Sequence, residues 1–137
     1  MDAEGLNKYP VEAITSSYVV KDEYIVENLI DGKADTWYAA EGAGEYVVFD
    51  YGEVKDIDVI AFDMLYGLRR KTFFKLEVSE DGENWTEIFD GSNSQKTDEM
   101  EYLDTEGTKA RYLKLINYGN SEGSKWISLV ELEAYGK

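Results

Sequence analysis

Residues Phe74–Thr86 read FKLEVSEDGENWT, and this stretch indicates the class of fold. Its first half alternates apolar and polar side chains, which is typical of a β-strand with one buried face. The polar turn Glu80–Glu83 follows, and Gly82 in that turn can take a positive φ angle. A second strand then begins at Trp85, so the stretch predicts a β-hairpin.

Short apolar runs broken by turn residues continue along the chain on both sides of this hairpin. They predict eight strands: Val11–Ser16, Tyr46–Tyr51, Asp58–Leu65, Phe73–Ser79, Trp85–Phe89, Glu99–Leu103, Ala110–Asn117 and Val130–Tyr135. Residues Glu23–Ile30 could form one helical turn at most. We therefore predict one all-β domain over residues 1–137, a β-sandwich or jelly roll.

The composition excludes several classes of function. The 137 residues include 14 Lys and Arg against 29 Asp and Glu, for a formal charge of -15, and contain no Cys and no His. The absence of these two residue types excludes thiolate zinc sites and Ser-His-Asp or Cys-His catalysis. The negative charge argues against nucleic acid and anionic membranes as partners. A carboxylate-based enzyme, a hard-metal site or a binding module remains.

No targeting segment is expected. The apolar stretches are too short to cross a bilayer, and residues 1–10 lack the basic and apolar regions of a signal peptide. The chain is then either intracellular or a module of a longer secreted protein.

Three segments could carry chemistry, and the first is residues 28–37, which read NLIDGKADTW. A carboxylate, a glycine turn and a hydroxyl within six residues can surround one hard cation such as calcium. A capped surface turn would have the same sequence, so both interpretations stay open.

The second segment is a basic island, Arg69-Arg70-Lys71, with Lys75 close by. Residues 66–76 hold these four cations and no acid. Arginine side chains bind carboxylates or sulfates with two parallel hydrogen bonds. The alternative is a solvated turn whose charges pair with neighbouring acids.

The third segment is the polar loop of residues 118–126, which reads YGNSEGSKW. It offers amide, hydroxyl and aromatic groups, which suit the hydroxyls and apolar faces of a sugar. An ordinary loop in which Trp126 folds back into the core is equally compatible. A carboxylate pair of the kind that glycosidases use is not excluded either, because 29 acids always provide such pairs.

Six segments in order resemble the discoidin domains, also known as the coagulation factor V/VIII (F5/8) type C superfamily. These segments are residues 13–17 (AITSS), 29–37 (LIDGKADTW), 48–52 (VFDYG), 74–86 (FKLEVSEDGENWT), 110–115 (ARYLKL) and 128–136 (SLVELEAYG). Within that superfamily the chain is most similar to family 32 carbohydrate-binding modules attached to polysaccharide-degrading enzymes. The resemblance implies an eight-stranded jelly-roll sandwich with its core at about residues 11–136.

The resemblance also implies a structural calcium ion that ties the Asp31–Thr36 loop to the last strand. The side chains of Asp31, Thr36 and Glu131 and carbonyl groups near Asn28 and Lys33 would be its ligands. Calcium therefore becomes the expected cofactor.

The glycan sites of such modules lie on loops at one end of the sandwich. The matching loops here are residues 37–42, 66–71 and 118–126, which begin or end with Trp37, Tyr66 and Trp126. Arg69 or Arg70 would pair with the sugar, Asn120 would bind hydroxyls, and a stacking face would come from an aromatic ring of these loops. The expected ligand-binding residues are Tyr38, Tyr66, Arg69, Arg70, Tyr118, Asn120 and Trp126. Trp85 is expected in the core.

The chain departs from one pattern of the family. Members that bind terminal galactose often use a loop histidine, and this chain has none. The pieces Gly67-x-Arg69 and Gly119-Asn120 with Trp126 are more similar to modules attached to polysaccharide lyases. Polyuronates or cell-wall glycans are therefore the expected ligands.

We predict a non-catalytic carbohydrate-binding module that holds a catalytic domain of its parent chain near polysaccharide. It would be a monomer and extracellular, as part of a larger bacterial chain, with no nucleic-acid or membrane partner. One alternative is a discoidin domain for protein or cell-surface adhesion, which would expose an apolar patch at its loop end. A small carboxylate glycosidase is the second alternative.

Overall fold

The computed structural model describes residues 2–137 as eight strands, all paired antiparallel, and one short helix. The strands are β1 (Asn7–Lys8), β2 (Ala13–Ser16), β3 (Tyr38–Glu41), β4 (Tyr46–Met64), β5 (Thr72–Ser79), β6 (Thr86–Ser92), β7 (Glu101–Asn120) and β8 (Trp126–Gly136). A 3₁₀ helix, Val26–Ile30, lies between β2 and β3. The predicted all-β fold is confirmed, and the helix ends where the single helical turn was predicted to end. Within residues 2–137, no helix is both long and apolar enough to span a membrane.

Strands β4 and β7 bend and take part in both layers of the sandwich. The first half of β4 pairs with β2 and with the second half of β7, which also pairs with β5. The second half of β4 pairs with β8 and with the first half of β7. The register shifts after Asp50, close to Gly52, whose φ of 87° is in the left-handed region that glycine tolerates. The sequence predicted two strands in place of each bent strand, because a bend and a strand end carry the same turn residues.

The core lies between the two layers. Phe62 of the second half of β4 packs edge to face on Phe74 of β5, with 5.2 Å between the ring centroids. The largest fully buried side chains are Tyr38, Phe49, Phe74, Leu29, Ile57, Ile60, Leu76, Leu113, Leu115, Ile127, Leu129 and Leu132. The prediction that Trp85 lies in this core is wrong. Its ring is half-buried on the outer surface, 6.5 Å from the ring of Tyr112.

Two short strands were not predicted, and one of them shapes an end of the molecule. Strand β3 pairs with the beginning of β8, from Tyr38 opposite Leu129 to Glu41 opposite Trp126. This pairing turns Tyr38 into the core and leaves Trp37 at the surface end of β3.

Candidate functional site

An open groove of about 430 Å³ lies at one end of the sandwich. Its walls come from the connection between β2 and β3, the connection between β4 and β5, and the junction of β7 with β8. A volume of this size is within the range of small-ligand sites. The groove is therefore the candidate binding site.

Two aromatic pairs form opposite parts of the wall. Trp37 stacks on Tyr24 with ring centroids 5.0 Å apart and planes 15° apart. Trp126 meets Tyr18 edge to face at 6.1 Å and keeps 38% of its surface exposed. Exposed rings held by partners in this way offer rigid apolar faces together with polar edges.

Arg70 is the principal cation of the groove. Only 12% of its side chain is exposed, and its Nη1 donates a hydrogen bond of 3.0 Å to Glu122. Its Nε is buried and has no hydrogen-bond partner within residues 2–137. A buried donor without a partner costs about 1–3 kcal/mol.

Arg69 occupies the rim rather than the groove. Its Nε donates a hydrogen bond to Oε2 of Glu122 and its Nη2 donates one to Oε1, both at 3.1 Å. The hydrogen bonds from Arg69 and Arg70 hold the pKa of Glu122 below its usual range, so this carboxylate stays ionised. Both guanidinium groups also lie over the ring of Tyr66, at 4.8 and 5.3 Å. The predicted basic island is thus partly neutralised and held in place by one acid.

Hydrogen bonds between Lys71 and Ser121 join the loops of residues 66–71 and 118–126. The amide of Lys71 donates to Ser121 Oγ at 2.9 Å, and the amide of Ser121 donates to the carbonyl of Lys71 at 2.8 Å. Tyr66 has a φ of 56°, a strained left-handed value for a residue with a side chain. Gly119 has a φ of 89°, and a Cβ there would lie 2.5 Å from the carbonyl oxygen of Ser124. The structure therefore brings the predicted loops of residues 66–71 and 118–126 together.

The buried side-chain amide of Asn93 holds the loop of residues 66–71 in place. Asn93 is 1% exposed, accepts a hydrogen bond from the Thr72 amide at 2.7 Å, and donates to the carbonyls of Gly67 and Arg70 at 3.1 and 3.0 Å. These bonds satisfy backbone groups on both sides of the basic island. The sequence offered no signal for this role, because Asn93 lies in a Ser- and Asn-rich stretch that reads as a surface turn.

Of the seven predicted ligand-binding residues, three line the groove: Tyr66, Arg70 and Trp126. The prediction of Tyr38 as an exposed stacking partner is wrong, because its ring is 1% exposed and its hydroxyl lies 2.6 Å from Ser16 Oγ. Asn120 is 7% exposed, and its amide donates to the carbonyl of Trp126 and accepts from the amide of Glu122. Asn120 thus holds the shape of the loop.

Tyr118 lies elsewhere on the molecule. It is 42% exposed on the outer face of β7, beneath Lys75, and does not line the groove. Its ring and the groove are both reachable from solvent, but they belong to different surfaces.

Sequence reasoning missed one wall entirely. Tyr18, Lys21 and Tyr24, from the connection between β2 and β3, line the groove together with the predicted residues. This connection carries no charge island or glycine punctuation, so its role depends on tertiary packing. In residues 18–24, which read YVVKDEY, two tyrosines flank a Lys-Asp-Glu triplet, and this was the available hint.

The predicted calcium loop has its own hydrogen-bonded arrangement. Asp31 accepts from the amide of Lys33 at 2.9 Å and from the hydroxyl of Thr36 at 2.5 Å. The amide group of Asn28 donates to the carbonyls of Glu23 and Trp37, both at 2.9 Å. Asn28 therefore connects this loop to the aromatic wall of the groove.

Glu131 faces the same loop from β8. It is 5% exposed, and its Oε1 accepts a hydrogen bond of 3.3 Å from the amide of Gly32. Burial raises the pKa of Glu131 to about 7, and the nearby charges of Glu133 and Asp31 act in the same direction. A carboxylate held this way gains from a nearby cation.

The residues present fit a calcium ion by the chemistry of their donors. Two carboxylates, a hydroxyl and loop carbonyls are hard oxygen ligands of the kind calcium takes. Within residues 2–137, no three acidic side chains converge as a metal cluster, so carbonyl groups would have to complete the shell.

The sequence matches the family model of the F5/8 type C domain over residues 13–132. No curated protein sequence matches the chain significantly.

Several solved structures are similar to the whole chain. A CBM32 of AlyQ in complex with 4,5-unsaturated mannuronic acid is 30% identical, with a TM-score of 0.87, over 96% of this chain and 99% of that chain. A pectin-binding carbohydrate-binding module is 26% identical, with a TM-score of 0.86, over 92% and 91% of the two chains. A truncated AlyQ with CBM32 and alginate lyase domains matches over 33% of its own length. A Clostridium perfringens family 32 module in complex with galactose is 15% identical with a TM-score of 0.75, which shows the shared fold alone.

Proposed function

Because the chain belongs to the F5/8 type C domain family, we propose that it is a carbohydrate-binding module that recognises uronate-containing polysaccharides. The observation that carries this proposal is the guanidinium group of Arg70, held by Glu122, in a groove walled by aromatic rings. A uronate carboxylate would accept from Arg70, as carboxylates accept from arginine side chains elsewhere. The sugar ring would lie against Trp37 or Trp126, whose faces are apolar.

The solved relatives support the same ligand class. The AlyQ module was solved with an unsaturated mannuronic acid, and the second module is described as pectin-binding. Both resemble this chain over more than nine-tenths of its length.

Binding without hydrolysis is part of the proposal. Most glycosidases use two carboxylates that flank the scissile bond. The groove is lined by one acid, Asp22, whose side chain accepts a hydrogen bond from the amide of Tyr24. We propose that residues 1–137 act as a single monomeric module, which tethers a catalytic domain of an extracellular parent protein to its polysaccharide.

A titration tests the proposal. Oligomers of mannuronate, guluronate and galacturonate should bind with dissociation constants of about 1 μM to 1 mM, roughly -8 to -4 kcal/mol. Neutral galactan and glucan oligomers of the same length should bind the groove more weakly, because they offer the Arg70 guanidinium no charged acceptor. Equal affinity of the groove for uronates and for their neutral counterparts would contradict the assigned ligand class.

Substitution of Arg70 is the sharper test. Arg70→Ala should weaken uronate binding by about tenfold or more, since a hydrogen bond to a charged group contributes about 1.5–3 kcal/mol. Arg70→Lys should recover only part of this loss. Lysine keeps the charge but lacks the planar pair of parallel donors with which arginine binds a carboxylate. Lys109→Ala removes an exposed cation that pairs with Asp56 far from the groove and should leave binding unchanged. An Arg70→Ala protein with wild-type affinity would place the site elsewhere.

Calcium is proposed as a structural cofactor. Asp31, Thr36 and Glu131, with carbonyl groups near Asn28 and Lys33, would hold it between the loop and β8. When bound, the ion would offset the negative charge of the two carboxylates. Through the bond from Asn28 to the Trp37 carbonyl, it would also fix the aromatic wall.

The calcium proposal is tested by thermal unfolding. A ligand that binds only the folded state raises its stability, by about 2.7 kcal/mol at one hundred times its dissociation constant. The wild type should melt several degrees higher in 1–10 mM calcium than in chelator, as is typical of such a gain. Glu131→Gln should abolish the difference. A wild-type melting temperature that ignores both calcium and chelator would remove the ion from the proposal.

The adhesion alternative has one observation in its favour. Val19 and Leu68, in the connections that form the groove, are 76% and 54% exposed. An adhesion domain would use such side chains, and it would bind protein or cell surfaces without retention on any glycan of the panel. The Arg70 substitutions would then have no effect on its partner.

A further inference from the structure

The outer face of β7 carries a row of side chains that the groove does not use. Tyr112, Lys114, Ile116 and Tyr118 point away from the core, because the residues between them are buried. From Tyr112 to Tyr118 the strand advances by six residues, about 20 Å at 3.3 Å each. This length is several times the width of one sugar ring.

Neighbouring strands widen the row with further aromatic rings. Tyr46 of β4 pairs with Ile116, and Phe73 of β5 precedes Phe74, which pairs with Asn117 beside Tyr118. Tyr46, Phe73 and Tyr118 are 38%, 40% and 42% exposed. We call this surface the outer band and define it as Tyr46, Phe73, Trp85, Tyr112, Lys114 and Tyr118.

A shallow hollow of about 410 Å³ lies within the outer band. It is lined by Tyr46, Trp85, Tyr112 and Lys114, together with Thr15 and Asp81 among others. The ammonium group of Lys114 sits between two rings, 4.0 Å from the centroid of Trp85 and 5.0 Å from that of Tyr46. Cation–π contacts of this kind stabilise the positions of both rings.

The charges of the outer band are paired. Lys114 lies 3.9 Å from Glu77, and Lys75, above Tyr118, lies 3.3 Å from Glu87. The next cation along the strand, Arg111, donates to both carboxylate oxygens of Asp50 at 2.9 and 3.2 Å. A chain with a formal charge of -15 thus presents here a surface without a free cation to attract an acidic glycan.

We propose that the outer band is a second carbohydrate-binding surface, which takes an extended neutral polysaccharide chain. Aromatic faces at intervals along the strand would carry successive sugar rings, and the paired polar groups between them would bind hydroxyls. A second copy of the protein fits less well, because the centres of protein interfaces are depleted in charged residues and this surface has ion pairs between its rings. The inference goes beyond the uronate groove and does not depend on it.

Retention on immobilised neutral polysaccharides tests this proposal. The immobilised probes are galactan, mannan and β-glucan, and mannuronate oligomers are the reference ligand for the groove. The double variant Tyr46→Ala/Tyr118→Ala should lose neutral binding by about fivefold to 150-fold, since two aromatic contacts contribute about 0.5–1.5 kcal/mol each. Its uronate binding should be unchanged. Arg70→Ala should show the opposite pattern, and Val54→Ala, which removes an equally exposed side chain outside the band, should affect neither.

Amide chemical shifts of the wild type provide a measurement that needs no variant. A neutral hexasaccharide should shift the amides of β5 and β7, and a uronate oligomer should shift those of residues 65–71. Neutral glycans that bind nowhere, or that shift only the groove, would overturn the outer band as a binding surface. Self-association that the double variant abolishes would instead assign the band to a second copy. If the wild type bound neutral glycans but no uronate, the proposal for the groove would be contradicted and the proposal for the outer band would stand.

Discussion

Asp63 shows how one residue makes stability depend on pH. It is half-buried on β4. Burial raises the pKa of its carboxyl group to about 6, and the nearby acids Asp98, Glu101 and Glu99 act in the same direction. The folded protein therefore holds this proton more tightly than the unfolded chain does. Stability should fall as pH rises from about 4, where the unfolded carboxyl ionises, through about 6, where the folded one does.

The variant Asp63→Asn removes this titration. At pH 7.5 it should be more stable than the wild type by about 1–2 kcal/mol, because a neutral amide replaces a disfavoured charge. At pH 4 the two proteins should be nearly equal. Urea unfolding at both pH values, in chelator, measures the difference. The same free-energy difference at pH 4 and pH 7.5 would show that charge at Asp63 is not responsible.

The site residues that sequence reasoning found and missed differ in a physical way. Arg70, Tyr66 and Trp126 were found because a charge island and a polar aromatic loop are visible along the chain. Tyr38 was misplaced, since the pairing of an unpredicted strand with β8 buries it and leaves the preceding Trp37 partly exposed at the groove.

The connection between β4 and β5 behaves as one element, because Asn93 clamps it. The clamp consists of three hydrogen bonds of one buried side-chain amide, which accepts from the Thr72 amide and donates to the carbonyls of Gly67 and Arg70. Buried backbone groups that lose a partner cost about 1–3 kcal/mol each. The clamp therefore fixes the backbone on which the groove's principal cation stands.

Replacement of the clamp should affect both stability and binding. Asn93→Ala should destabilise the protein by about 2–4 kcal/mol, because it strands three buried backbone groups in a protein of ordinary stability. Uronate affinity of the protein that remains folded should also fall. Asn84→Ala is the matched control, since Asn84 is exposed and bonds only within its own hairpin. Chemical denaturation and titration provide the two readouts, and unchanged affinity in folded Asn93→Ala would show that the loop keeps its shape unaided.

At the level of elements, periodicity predicted most of the fold and little of its connections. The hairpin around Gly82 and the alternating strands could be predicted because each has a local signal. Strand β3 could not, because four residues that pair only with β8 show no pattern of their own. The wall formed by Tyr18, Lys21 and Tyr24 depends on the same long-range pairing.

The electrostatic field of the whole domain opposes the local field of the groove. The formal charge of -15 repels a polyuronate, while the groove and its rim have Arg69, Arg70 and Lys21 against Glu122 and Asp22. A domain of this length has a radius of gyration of about 14 Å. Which charges act on the ligand then depends on how far their field reaches through the solution.

Uronate affinity should therefore pass through a maximum as salt is added. At 10 mM the Debye length of about 30 Å spans the domain, so all its acids repel the ligand. At 150 mM it is about 8 Å, and the positive groove alone acts, so affinity should rise. At 1 M the Debye length is about 3 Å, so the attraction of the groove is screened as well and affinity should fall. Titrations of a mannuronate oligomer at the three concentrations measure this, with a neutral oligomer as the flat reference. Arg70→Ala should lose the fall at high salt, and a steady decrease from 10 mM would mean that the local field dominates throughout.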